Sequence, residues 1–254
     1  MQLPTARTPH RLALTALPLA VAALLGACSS LPRPADGALR KDQVVAVTAS
    51  NQLIRFNAGQ PGRVLSSVAL TGLQAGETVL GIDYRIAKGQ LYALGSTGRL
   101  YRIDVASGTV EGIGAPLPIV LSGDENGFDV NPTVDRIRVV GTSGQNLRLH
   151  PDTGAVVDGN PALEGLQTDA PLRYADGDMN AGRVPAIVAA GYTYNKDDEK
   201  ITTNYAIDAN FGTLVMQGSR EGVKPVVSPN TGLLRTVGPL DTASFKRAAF
   251  DIAD

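Results

Sequence analysis

From Gln43 onward, short runs of Val, Ile, Leu, Ala and Tyr alternate with Gly, Asn, Asp and Pro, and no stretch repeats its apolar positions every three or four residues. Such runs are the right length for strands, and the residues between them are turn formers, so the pattern predicts an all-β chain. The runs also recur. Gly81-Ile82-Asp83-Tyr84 returns as Gly127-Phe128-Asp129-Val130, 46 positions later. Each is followed by an apolar second strand, Gln90–Leu94 and Arg136–Val140, and a third, Leu100–Ile103 and Asn146–Leu149. A turn and a fourth strand follow, Ser107–Val110 and Thr153–Val156.

A shorter copy precedes these, with Val44–Val47 and Leu53–Phe56 matching the second and third strands. A looser one follows: Ala186–Gly191 reads as its second strand, Asn204–Asp208 as its third and Phe211–Leu214 as its fourth. The first copy lacks an initial strand, and Ala249-Phe250-Asp251-Ile252 has the sequence to supply one. Radial repetition that leaves few free edges is how a β-propeller closes. The expected fold is therefore β-propeller-like, with four blades of about 46 residues and the C-terminal strand pairing beside Val44–Val47 to close the first. Glu221–Lys246 does not fit the period and keeps a fifth blade open. A β-sandwich is the alternative, because strand periodicity alone does not separate the two.

Residues 1–42 differ in kind. Arg7, His10 and Arg11 precede an apolar run, Leu12–Leu25, which is broken by Pro18 and ends in Leu25-Gly26-Ala27-Cys28-Ser29-Ser30. The run is shorter than the roughly 20 residues that span a bilayer, and small residues lead to the chain's single cysteine. This resembles a bacterial lipoprotein signal, which implies cleavage before Cys28 and lipidation of its thiol. The domain plan is a signal peptide over 1–27, a flexible Pro-containing tether over 28–42 and one domain over 43–254. The implied location is the cell envelope, with the lipid in the outer membrane and the domain in the periplasm or at the surface.

Composition narrows the function. With one cysteine, the fold has no disulfide to rest on. A formal net charge of −1 gives no support for nucleic-acid binding. No tryptophan and 5% aromatics count against a carbohydrate-stacking face.

Asn131-Pro132-Thr133-Val134-Asp135-Arg136-Ile137-Arg138-Val139-Val140, followed by Gly144-Gln145-Asn146-Leu147-Arg148-Leu149, resembles an uncharacterised bacterial family, the domain of unknown function 4394. Gly76–Asp83, Gln90–Ser96 and Thr236–Leu240 extend the likeness over residues 44–252. The resemblance implies an exported β-repeat domain and brings no catalytic residues with it.

Two recurrences could carry chemistry. Asp83, Asp129 and Asp251 occupy equivalent first-strand positions, and Asp178 joins them with a one-residue slip. Around an axis they would form a carboxylate ring that raises its own pKa values or holds Ca²⁺ through oxygen. Alternatively, each would accept backbone N–H bonds from the turn after its strand and fix the blade geometry. Asp176–Gly182 approaches a calcium loop, but its glycine falls one place late and Ile187 stands where a bidentate Glu belongs. Arg136 and Arg138 share a strand face and Arg148 can meet them from the next strand, a set suited to an anion or to pairing with nearby acids, Asp129 or Asp135. His150 is the only histidine after the leader, and no G-x-S-x-G elbow is present, so triad and zinc chemistry lack their residues. The expected function is a non-enzymatic envelope lipoprotein that binds a small ligand or protein partner without a cofactor. The alternative is a cation-dependent enzyme or sensor using the Asp ring.

Overall fold

The computed structural model describes residues 36–253. Cys28, the leader and most of the expected tether lie outside the described residues. From Gly37 the chain is fastened to the first sheet: the Gly37 N–H donates to the Gly59 carbonyl, and Asn57 brackets Arg40 through two bonds of 2.9 and 2.7 Å.

The fold is all-β, with two single-turn 3₁₀ segments and no helix long and apolar enough to cross a membrane among the described residues. Among the described residues, four small sheets follow one another along the chain, and none closes into a barrel. The first contains β1 (Gln43–Val47), β2 (Gln52–Asn57) and β3 (Val64–Ala69). The second runs in order through β4 (Val79–Arg85), β5 (Gln90–Gly95), β6 (Leu100–Ile103) and β7 (Val110–Ile113). In the third, β8 (Asn126–Asn131), β9 (Arg136–Gly141) and β10 (Asn146–Leu149) are extended by a bridge from Leu149 to Val156. In the fourth, β12 (Ile187–Tyr192), β13 (Asn204–Asp208), β14 (Thr213–Gln217) and β15 (Leu233–Pro239) pair in turn, and β11 (Arg173–Tyr174) adds in parallel to β15.

Period-two alternation explains how the sheets stack. On β5, Leu91 and Ala93 point toward the first sheet and pack with Leu53, whereas Tyr92 and Leu94 pack with Phe128, Ile137 and Leu147 of the third. A strand buried on both faces reads as a continuous apolar run, as this one does. Val140 carries the third sheet into a cluster with Ile187, Ala206 and Leu234 of the fourth. Val188, Ala189 and Ile207 then receive Phe245, Ala248 and Phe250 from the C-terminal segment. Every member of these clusters lies between Val45 and Phe250, so the domain contains its own core. Fully burying one such side chain, Ile137 for example, contributes about 1.5–3 kcal/mol.

The recurring glycine has a packing cause. A Cβ on Gly81 would lie 2.4 Å from the Phe128 Cβ, and one on Gly127 would lie 2.6 Å from the Ala190 nitrogen. First strands of successive sheets meet there, closer than any side chain permits.

Two sequence expectations need correction. Ala186–Gly191 is not a second strand: β12 leads its sheet and lies against β8. The insertion at 157–186 displaces the 46-residue period, and the Asp of the repeat is absent from β12, which hid the match. The Ala249–Ile252 segment forms no ladder with β1, which pairs with β2 alone among the described residues. Side chains hold it instead, Phe250 and Ile252 resting over Gly191.

Candidate functional site

Asp83 and Asp129 project from equivalent positions of β4 and β8, and Asp251 reaches the same spot from the C-terminal segment. One carboxylate oxygen from each lies within 4.8 Å of the others. Asp83 accepts the Tyr84 N–H at 2.6 Å and, across to the next sheet, the Val130 N–H at 2.7 Å. Asp129 repeats the crossing and accepts the Tyr192 N–H at 3.1 Å. Asp251 accepts the N–H of Ile252 at 2.7 Å. By this hydrogen-bond correspondence the fourth equivalent position is Gly191, one residue before Tyr192. Asp83 and Asp129 thus each bind a backbone donor of the next sheet, where the sequence suggested donors from the turn after each strand.

Burial pushes the Asp83 carboxyl up to about 7, and the Asp251 charge adds to this against the Val130 and Tyr84 donors. Asp129 is raised well above the usual carboxylate range, first by burial and then by the charges of Asp83 and Asp251. The three could offer a hard cation one oxygen each, fewer than the six to eight that Ca²⁺ takes. Asp178 is not with them. It accepts the Thr236 N–H and hydroxyl at 2.7 and 2.8 Å beside β15. Burial there works to raise its pKa, but these donors and the Asn180 N–H outweigh it and leave the pKa lowered.

The arginines gather at a second place. Arg138 and Arg148 are register partners on β9 and β10. Both close on Asp169: Arg138 Nη1 at 2.7 Å, and Arg148 bidentate through Nε and Nη2 at 2.8 Å each. Arg138 is buried and also donates to Asn146, Asn230 and the Tyr192 hydroxyl. The partners suggested by the sequence, Asp129 and Asp135, are not used by this pair; Asp135 holds Arg85 instead. Asp169 comes from an irregular loop whose pattern gave no signal, and Tyr192 was likewise unmarked.

Arg136, Arg138 and Arg148 line an open cleft of ≈ 520 Å³ between the third and fourth sheets. Lys200 and Arg220 join them from loops, and Glu221 is the one carboxylate on the lining among the described residues. Tyr192 connects the two places, its N–H on Asp129 and its hydroxyl on Arg138. His150 sits apart, its Nδ1 accepting the Asp152 N–H.

Among solved structures, the chain resembles the extracellular domain of the one-component system BT4673 from B. thetaiotaomicron, with 19% identity over 74% of this chain and 21% of that one and a TM-score of 0.37. A chain of the Mitotic Checkpoint Complex aligns over 85% of this chain and 56% of its own, with 11% identity and a TM-score of 0.38. The chain thus spans about a fifth and just over half of these two, and at such TM-scores neither likeness carries an argument. No curated protein matches the sequence. A family model does match, over residues 52–254, and the chain belongs to that family, the domain of unknown function DUF4394.

Proposed function

We propose that this protein is a lipid-anchored binding module of the bacterial cell envelope, built as a four-bladed β-propeller, that captures an anionic ligand without transforming it. The propeller reading draws on four successive sheets, in three of which the first strands adjoin, β4 beside β8 and β8 beside β12, with Asp251 brought to Asp83 and Asp129. The anchor reading draws on the leader and Cys28, and mass spectrometry of the mature chain should find an acylated cysteine at its N-terminus. An unmodified Cys28 in membrane-fractionated protein would count against it.

The observation that carries the binding reading is the cleft. Five cations converge there, against Glu221 and the shared Asp169 beneath. Asp169 fixes the guanidinium plane of Arg148, so an oxyanion would meet donors already oriented. The test is a melting-temperature panel of small oxyanions: phosphate, citrate and alkyl phosphates. A ligand stabilises the fold by mass action, so at least one should raise the midpoint, and Arg136→Gln/Lys200→Gln should lose most of that rise. No rise with any anion, or an equal rise in the variant, refutes the reading.

A second reading rests on the acid trio: a cation-dependent enzyme or sensor holding its ion on Asp83, Asp129 and Asp251. It requires Ca²⁺ or another divalent ion to stabilise the chelated protein, and Asp83→Asn to remove the effect. Absence of any divalent-ion shift removes this reading.

A further inference from the structure

Building on the anion reading of the cleft, we infer that its ligand is a small amphiphilic oxyanion, a phosphate monoester or carboxylate carried on an apolar body. The cleft has two unlike walls. On the first, cationic donors are only partly used. Arg148 spends Nε and Nη2 on Asp169, which leaves Nη1 for a ligand. Arg136 spends Nη1 on the Asp135 and Val134 carbonyls at 2.8 and 3.5 Å, which leaves Nε and Nη2. Lys200 and Arg220, both exposed, add charge at the mouth.

The second wall is apolar. It is made by Val223, Val226 and Val227, from the loop between β14 and β15, together with Ile201. Val226 is 76% and Val223 41% exposed, so aliphatic surface is held toward water at the entrance. A second hollow of ≈ 470 Å³ lies against the same loop, shares Val223 and Val227 and continues over Tyr205, Met216, Pro225 and Val237. Apolar surface therefore runs on from the cleft, with Arg220 and Arg235 beside it. A free inorganic ion would leave this wall wet, and an uncharged apolar ligand would leave the guanidinium donors unmatched, so only a ligand with both parts satisfies both walls. The volume, ≈ 520 Å³, is in the range of about 300–1,000 Å³ common for small-ligand sites.

The test is calorimetric titration of the domain from Asp36 onward, which contains its own core. Octyl phosphate below its micelle concentration, inorganic phosphate and octyl glucoside serve as probes. Octyl phosphate should bind at least tenfold more tightly than phosphate, and octyl glucoside should give no measurable heat. Arg136→Gln/Lys200→Gln should weaken octyl phosphate binding about tenfold, and Val223→Ser/Val226→Ser should erase its advantage over phosphate. Equal binding of phosphate and octyl phosphate would overturn the amphiphile while leaving the anion site standing. Equal binding of octyl glucoside and octyl phosphate, or no binding of any probe, would overturn both. Vesicle flotation separates the sources of this chemistry. Flotation that needs anionic lipid supports a lipid headgroup, octyl phosphate binding without flotation supports a free ester, and equal flotation with neutral vesicles overturns the inference.

Discussion

Asp83 shows what the acid trio costs when it holds no ion. In the unfolded chain its proton leaves near the ordinary value of 3.8, and in the fold it leaves near 7. Between those values the folded state holds more protons, so stability falls as pH rises through the window and levels off above it. Asp129 shifts in the same direction and steepens the fall. In chelator, the protein should be less stable at pH 8 than at pH 5 by roughly 1–3 kcal/mol from this source, and Asp83→Asn should flatten much of the difference. Denaturant titrations at the two pH values measure it; a wild-type curve that rises with pH would show that the trio is not held as described. The trio's members were legible because the same letters recur at the same place in the repeat. Asp178 shared the letters without the geometry, since Thr236 claims its carboxylate. The arginines were legible from their spacing of two and from the adjoining strand, whereas Asp169, which orients two of them, lies in a loop where no period operates.

Most strands of the first three sheets could be read from the chain because each is a short apolar run between turn residues; β3 was missed, since Ser66 and Ser67 interrupt its apolar run and most of it is exposed. Their boundaries moved by only a few positions, as with β7, which starts at Val110. β12 was misassigned for a physical reason: Gly191 replaces the acid, and Phe250 and Ile252 cover it with apolar contact in place of a carboxylate bond. The C-terminal segment follows from the same contacts. Phe245, Ala248 and Phe250 cover Val188, Ala189 and Ile207, which the domain would otherwise expose. Ending the chain before Ala248 should therefore cost about 2 kcal/mol or more, roughly 4–8 °C in melting temperature for a domain of this size. An unchanged midpoint would mean that the segment is not docked on β12.

Across the whole molecule, the sheets are stacked in chain order and the two charged places adjoin. The acid trio lies where first strands meet, and the basic cleft opens between the third and fourth sheets. Tyr192 touches both, so a ligand that moves Arg138 would be felt at Asp129 through one residue. The cleft could not be seen in the sequence as a whole, because Lys200, Arg220 and the valine wall come from loops far from Arg136 and take their place only through packing. The central claim, that this cleft is the binding site, is tested most directly by recording nitrogen-15 amide spectra of the domain during titration with octyl phosphate. Shifts should concentrate at Arg136, Arg148, Thr202 and Arg220–Ser228, with Tyr192 following. Shifts confined to Asp83, Asp129 and Asp251, or scattered over the surface without saturation, would contradict it.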